Sequence, residues 1–441
     1  MPGFMTILGK FLAVAVGVVL AGAFLGAALG LLVALVVVLV LGLTVLGRKD
    51  WVPLIYNVRS LTVRRVTTAV TVIGLSLVVA VFAAVLMLNE GIRTTLSATG
   101  DEMNAKIIRK GSQVEMQSGV QPEHLRLLSG QPEVAVGPDG KPWASAEVAV
   151  LIYALREAAK DDSDGSNVSV RGVGPAALSL HPPAKLEGRM FQAGTSEIVI
   201  GKGLVGRFAG ARIGTSMRFA RRDWTVVGVM DQRGSAFDSE VWGDVDQMLD
   251  AFSRRPAFSS ITLRLKDRDG VSSLAARMET DPQLNTLEIS SERRYWAKQS
   301  EALSKFVTFL GTFVAIIFAI GAVLGAMITM FAQVSARTRE IGALRAMGFR
   351  RRAVLVSFVV ESVILGLLGG GVGLAAASVM RFVEFPTTNF QTFNEIVFRF
   401  TMSVPTVVAT IVFAAVMGFA GGLLPALRAA RMPITRATRG G

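Results

Sequence analysis

Four apolar runs, each bordered on one side by arginines, constrain this 441-residue chain more than any other feature. Val66–Leu88, Phe306–Phe331, Ala353–Met380 and Val404–Leu424 hold 23, 26, 28 and 21 residues, and among them only Glu361 is ionisable. A helix of about 20 apolar residues crosses a ~30 Å hydrocarbon core, so the pattern predicts four membrane spans. Composition agrees: 51% of residues are hydrophobic, 18% are charged and the mean hydropathy is +0.50.

The formal net charge of +13 would ordinarily raise nucleic acid as a partner, but its location argues otherwise. Between Asn89 and Lys305 the chain carries 28 bases and 28 acids, so the whole excess lies beside the apolar runs. Bases concentrated there mark cytoplasmic flanks, whereas a nucleic-acid surface would sit on a folded polar domain. No nucleic-acid partner is expected. With the N-terminal bases included, the clusters around Arg59–Arg65, Arg337–Arg352 and the C-terminus carry 16 bases against 2 acids. They are expected in the cytoplasm, which places 89–305 and 381–403 outside. Phe11–Gly47 adds 37 residues without a charge. A helical hairpin fits its like-signed flanks, while one long tilted helix fits the Gly22, Gly26, Gly30 stripe; the hairpin is favoured.

Residues 89–305 are long enough for a folded unit of their own. Short apolar or alternating runs predict strands at Val148–Leu155, Val168–Val173, Glu197–Ile200, Trp224–Met230 and Ile261–Leu265. Helical patterns at Pro122–Leu128, Val245–Phe252 and Val271–Met278 make the unit α+β, and Ser290–Lys305 reads as a charged helix entering the second span. Chemistry is scarce in it. Lys160–Gly165 glances at a calcium loop, but Lys160 and Arg171 fall where carboxylates are needed. His124 and His181 stand far apart and read as ordinary surface or loop histidines. No cysteine is present, and no G-x-S-x-G or G-x-x-x-x-G-K-[ST] occurs, so no catalytic, cofactor-binding or metal residue is expected. The chain is not expected to be an enzyme.

The segment Val334–Arg352 is more distinctive. Val334, Ile341, Leu344 and Met347 recur at helical spacing beside Arg337, Arg339, Glu340 and Arg345. A positive-inside loop explains the arginines but not R-T-R-E-I-G followed by R-A-M-G. At these residues the sequence resembles the FtsX-like/MacB-type permeases of ABC transporters, and also lipoprotein-releasing permeases. Supporting motifs are Phe358–Ser362 with the glycine-rich Gly366–Gly370, the closing Leu424–Arg431, the approach Asn57–Arg65, and Ile198–Leu204 with Trp224–Val229. The resemblance covers roughly 52–441, leaving the N-terminal apolar segment as a departure.

It implies an α-helical integral membrane protein with an inserted α+β extracytoplasmic domain, four core spans and the extra N-terminal segment. The expected layout is 1–50 extra segment, 51–88 juxtamembrane helix and first span, and 89–305 periplasmic domain. Then follow 306–333 second span, 334–352 coupling segment, 353–380 third span, 381–403 outward loop, and 404–441 fourth span with basic tail. The resemblance further implies a multi-pass protein of the bacterial inner membrane, a second permease subunit (identical or paralogous) and a separate ABC-type ATPase supplying ATP and Mg. A periplasmic adaptor or lipoprotein and membrane lipid are further implied partners. ATPase coupling is expected at Arg337, Arg339, Glu340, Ile341, Leu344, Arg345, Met347 and Gly348. Glu361 is expected to pair with an arginine such as Arg352 or with backbone. The implied output is mechanotransmission to the periplasmic domain for efflux or for lipoprotein or lipid extraction. The alternative is a membrane-anchored scaffold or cell-wall-hydrolase regulator without transport.

Overall fold

The structure, a computed structural model, describes Arg59 and residues 61–388 and 392–432. The predicted hairpin of 11–47 lies outside the described residues. Contacts divide the described chain into two compact units. One takes residues up to Met87, Val307–Phe382 and those from Met402; the other takes Leu88–Phe306 and Val383–Thr401.

Helix α1, Arg65–Thr99, runs 35 residues, about 52 Å at 1.5 Å per residue and so longer than one bilayer core. The inserted unit follows with β1 (Asn104–Arg109), α2 (Pro122–Ser129), β2 (Ala144–Leu155), β3 (Gly165–Val173), α3 (Ala177–Leu180), β4 (Lys185–Gly188) and β5 (Glu197–Gly201). After these come β6 (Ser216–Phe219), β7 (Arg222–Asp231), β8 (Glu240–Asp244), α4 (Val245–Ala251), β9 (Ser260–Arg264), α5 (Gly270–Thr280) and β10 (Leu287–Ser291). The strands form one mixed sheet ordered β10-β1-β9-β2-β3-β8-β5-β7-β4, with β6 against β7. Only β3–β8 and β5–β7 run parallel among these pairs. Two apolar cores lie among the described residues of this unit. Trp224, Val241, Met248 and Phe208 belong to one; Ile107, Leu263, Leu274 and Met278 belong to the other.

Helix α6, Glu292–Ala336, continues unbroken for 45 residues, so the charged helix expected at 290–305 and the second span are one element. Helices α7 (Thr338–Ala346), α8 (Arg351–Ser378) and α9 (Val404–Arg431) complete the helical set. Among the described residues four helices are long and apolar enough to cross a membrane. The segment 381–403, expected as a loop, instead contains the hairpin β11 (Glu384–Thr388) with β12 (Glu395–Arg399). Buried Ile396 and Phe398 alternate with more exposed neighbours, a period-2 signal too short to stand out in the sequence. Glu395 of this hairpin pairs with Arg156 at 2.5 Å and with Arg207.

The glycine-rich stretch Gly366–Gly370 is helical throughout. It lies inside α8, where small residues let helices approach closely, as membrane packing requires. A Cβ on Gly366 would fall 2.5 Å from the Ala414 carbonyl oxygen, and one on Gly418 would fall 2.5 Å from that of Ser362. Gly369 and Gly373 form a second stripe facing α1 at Leu75 and Ser76. Helix α8 is thus clasped by α9 through one glycine pair and by α1 through the other.

Candidate coupling site

The coupling segment is positioned by a helix break at Arg337. Helix α6 stops at Ala336, Arg337 adopts φ −104° and ψ 17°, and α7 starts at Thr338. The broken turn leaves the Arg337 side chain buried, where its Nη1 donates to Glu361 Oε2 at 2.8 Å and its Nε to Glu340 Oε2 at 3.0 Å. The guanidinium also lies 5.2 Å from the Phe358 ring centre, a cation–π arrangement. Glu361 thus pairs with an arginine, and the arginine is Arg337. Arg352 precedes Glu361 by more than two turns of the same helix, whereas the α6–α7 break delivers Arg337 to it. Both members are almost fully enclosed, so each neutralises a charge that would be costly alone.

At the other end of α7, Arg345 Nη1 donates to the Ala430 carbonyl at 3.0 Å, satisfying one of the open carbonyls in the last turn of α9. Gly348 then takes φ +98°, a left-handed conformation that glycine adopts without strain, and the chain re-enters helix at Arg351. These contacts fix which face of α7 is turned inward. Ile341 is buried in a cluster with Met330, Val334, Val354 and Phe358. It therefore anchors α7 to its own chain. The opposite face exposes Arg339, Glu340, Ala343 and Met347, with Leu344 half-buried. Met347 is 69% exposed, and its flexible thioether side chain suits an adaptable contact.

A second constellation escaped sequence reasoning. In the inserted unit Lys106, Glu115, Glu147, Arg171 and Glu240 are all buried and mutually paired. Arg171 binds Glu240 at 2.7 Å, Glu115 at 2.5 Å and Glu147 at 2.9 Å. Lys106 binds Glu147 at 2.8 Å and Glu115 at 2.9 Å. Burial alone would raise the Glu115 carboxyl, but the Arg171 and Lys106 charges outweigh it and hold it well below the usual range. Glu147 is held low by the same balance. The base of α6 closes the cluster: Tyr295 OH accepts from the Glu115 N–H at 2.9 Å, and Trp296 lies 5.9 Å from the Arg171 guanidinium. Beside it His181, read as an ordinary surface or loop histidine, lies outside any helix or strand and is buried 3.3 Å from Glu292 with its ring against Phe237. One sequence signal pointed here: charged residues occupy interior positions of the apolar strands β1, β2 and β3.

Among the described residues no group of His, Asp or Glu could hold a metal. The arrangement defines a class: a multi-span membrane protein whose inserted α+β unit is tied to a spanning helix, with a short buttressed helix between its second and third spans. Residues 68–281 match the model of the MacB-like periplasmic core domain, and 312–434 match the FtsX-like permease C-terminal model. The chain belongs to the FtsX-like, MacB-type permeases of ABC transporters.

Curated relatives include the macrolide export ATP-binding/permease protein MacB of Hyphomonas neptunium. That protein is 26% identical over 400 residues, covering 85% of this chain and 58% of its own length. The protein of the same name from Hahella chejuensis is 27% identical over 286 residues, 60% of this chain and 42% of that protein. The chain thus spans about half the length of these relatives. Among solved structures, it is similar to the periplasmic region of MacB from Actinobacillus actinomycetemcomitans. There the TM-score is 0.34 at 15% identity, covering 46% of this chain and 94% of that one. Another is the extracellular domain of the noncanonic ABC-type transporter YknZ from Gram-positive bacteria, with TM-score 0.31 at 13% identity over 42% of this chain and 99% of that one. Both matched models describe permease parts.

Proposed function

We propose that the chain is the permease subunit of a mechanotransmission-type ABC transporter. In this reading a separate ATP-binding-cassette subunit, carrying the ATP and Mg, docks on the exposed face of α7. A second permease subunit completes a dimer in the bacterial inner membrane, and the inserted unit lies in the periplasm. The observation that carries the reading is the buttressing of α7. Arg337–Glu361 at one end and Arg345–Ala430 at the other hold it. The face left exposed carries Arg339, Glu340 and Met347.

A loop serving topology alone needs bases, not a clamped helix with one exposed side. The unbroken 45-residue α6 supplies a stiff element through which motion at α7 can be transmitted. The enclosed Arg171 cluster supplies a rigid attachment for its outer end. Within the four apolar runs the one ionisable residue, Glu361, is paired with Arg337, so they offer little for a polar route among the described residues. Force transmission accounts for this better than a pore. Efflux and lipoprotein or lipid extraction are the outputs that fit such a lever, and the relatives' name, macrolide export, favours efflux.

The test is reconstitution with an ABC-type ATPase that co-purifies with the chain. Glu340→Arg and Met347→Ala should each uncouple ATP turnover from transport while membrane insertion is unchanged. Wild-type coupling in both variants would return the chain to the anchored-scaffold reading.

A further inference from the structure

The inserted unit contains an open cleft of about 1130 Å³ between α1, the β10 edge and the first turns of α6. It is lined by Arg93 from α1 and by Arg294, Lys298 and Lys305 from α6, against Glu288 and Glu301. Lys305 is engaged by Glu301 at 2.5 Å. Arg93, Arg294 and Lys298 make no ion pair or side-chain hydrogen bond among the described residues, so three cations face the cleft with Glu288 as the remaining acid.

A second observation points to a ligand. Gln299 lines the same cleft, is 3% exposed, and its Oε1 has no hydrogen-bond partner. A buried acceptor left unmade costs free energy, so its presence in a cleft wall asks for a donor from outside. Strand β10 terminates the sheet, which leaves one row of its backbone groups without a strand partner beside these side chains. Cations with one buried acceptor and a strand edge suit an anionic group carrying a neighbouring hydroxyl or ammonium donor. Lys298 precedes Phe306, the start of the apolar run, by eight residues on one helix, about 12 Å. That is the length scale between a membrane amphiphile's headgroup and its first hydrocarbon.

We propose that this cleft binds the phosphodiester headgroup of an anionic membrane amphiphile. Arg93, Arg294 and Lys298 hold the phosphate, and Gln299 Oε1 accepts from the adjacent hydroxyl or amine. The site stands apart from the coupling helix and does not depend on an ATPase partner.

The experiment titrates the full chain, delipidated in maltoside detergent, with dihexanoyl-phosphatidylglycerol, glycerol 3-phosphate and inorganic phosphate, reading binding by calorimetry. Combined Arg93→Gln, Arg294→Gln and Lys298→Gln should weaken the lipid at least tenfold. A control that changes the exposed Arg218, Arg222 and Lys141 to Gln should shift it less than twofold. All six are exposed, so folding is preserved, and unaltered thermal melting checks this. Gln299→Leu should also weaken the lipid, whose donor sits on the glycerol beyond the phosphate, more than it weakens inorganic phosphate, whose hydroxyl lies on the phosphorus itself. The proposal is overturned if the wild-type chain does not bind the lipid, or if the two triple variants behave alike. Inorganic phosphate binding as tightly as the lipid would overturn the amphiphile assignment in favour of a soluble phosphoanion.

Discussion

Replacing Arg171 with Met removes the hub of the enclosed cluster while keeping most of its volume. The guanidinium donates to Glu115, Glu147 and Glu240. Lys106 remains to neutralise Glu115 and Glu147, so Glu240 bears most of the loss, keeping the Trp242 indole N–H at 3.0 Å. An uncompensated buried charge of this kind costs about 3–5 kcal/mol. In a domain of about 200 residues that corresponds to a fall in Tm of roughly 6–20 °C. Scanning calorimetry of the full-length chain in detergent, following the inserted unit's transition, measures it. Adding Glu240→Gln removes the orphaned charge and should recover at least half of the loss. A fall below about 2 °C, or no recovery in the double variant, would refute the claim that the cluster is a closed set of compensating charges.

Gly418→Leu should abolish assembly of the helical unit, because its Cβ alone would sit 2.5 Å from the Ser362 carbonyl oxygen; protease protection of membrane-inserted protein reads this out. Glu361→Leu takes the enclosed carboxylate from Arg337 and leaves it the more exposed Glu340, which should destabilise the α7–α8 junction by up to about 3 kcal/mol, seen as faster cleavage at 338–350 in inverted vesicles. For pH dependence, Glu115 and Glu147 are both held below their ordinary range. Their contribution is fully present above the unfolded glutamate value of about 4.3 and is lost as pH falls toward the folded values. The melting temperature of the inserted unit should therefore drop progressively below about pH 4.3, and less steeply in Glu147→Gln.

The spanning helices were legible in the sequence because hydrocarbon imposes a length and excludes charge, a rule that operates on composition alone. The strands Val148–Leu155 and Trp224–Met230 were legible too, through their apolar runs and alternation. The Arg171 cluster was not. Its five members come from 106, 115, 147, 171 and 240, and nothing local says that charges so far apart will neutralise one another. The burial of His181 was not legible for the same reason: a lone histidine in a loop-like stretch gives no sign that Phe237 and Glu292 enclose it. In the coupling segment the helix and its charges were visible, but the inward face was not. Burial of Arg337 depends on Glu361, and burial of Ile341 depends on Val354 and Phe358, all supplied by the following helix. Helical spacing alone cannot say which apolar residue serves the chain itself and which stays outside.

The central claim, that the exposed face of α7 docks a separate ATPase, is tested most directly by a photo-crosslinking residue at position 347. The chain has no cysteine, so a benzophenone maleimide on Met347→Cys reacts at one place. After irradiation in native membranes, the account predicts a covalent adduct whose second component carries an ATP-binding cassette, with no such adduct from Ile341→Cys. Adducts to lipid alone, or equal adducts from both positions, would contradict it.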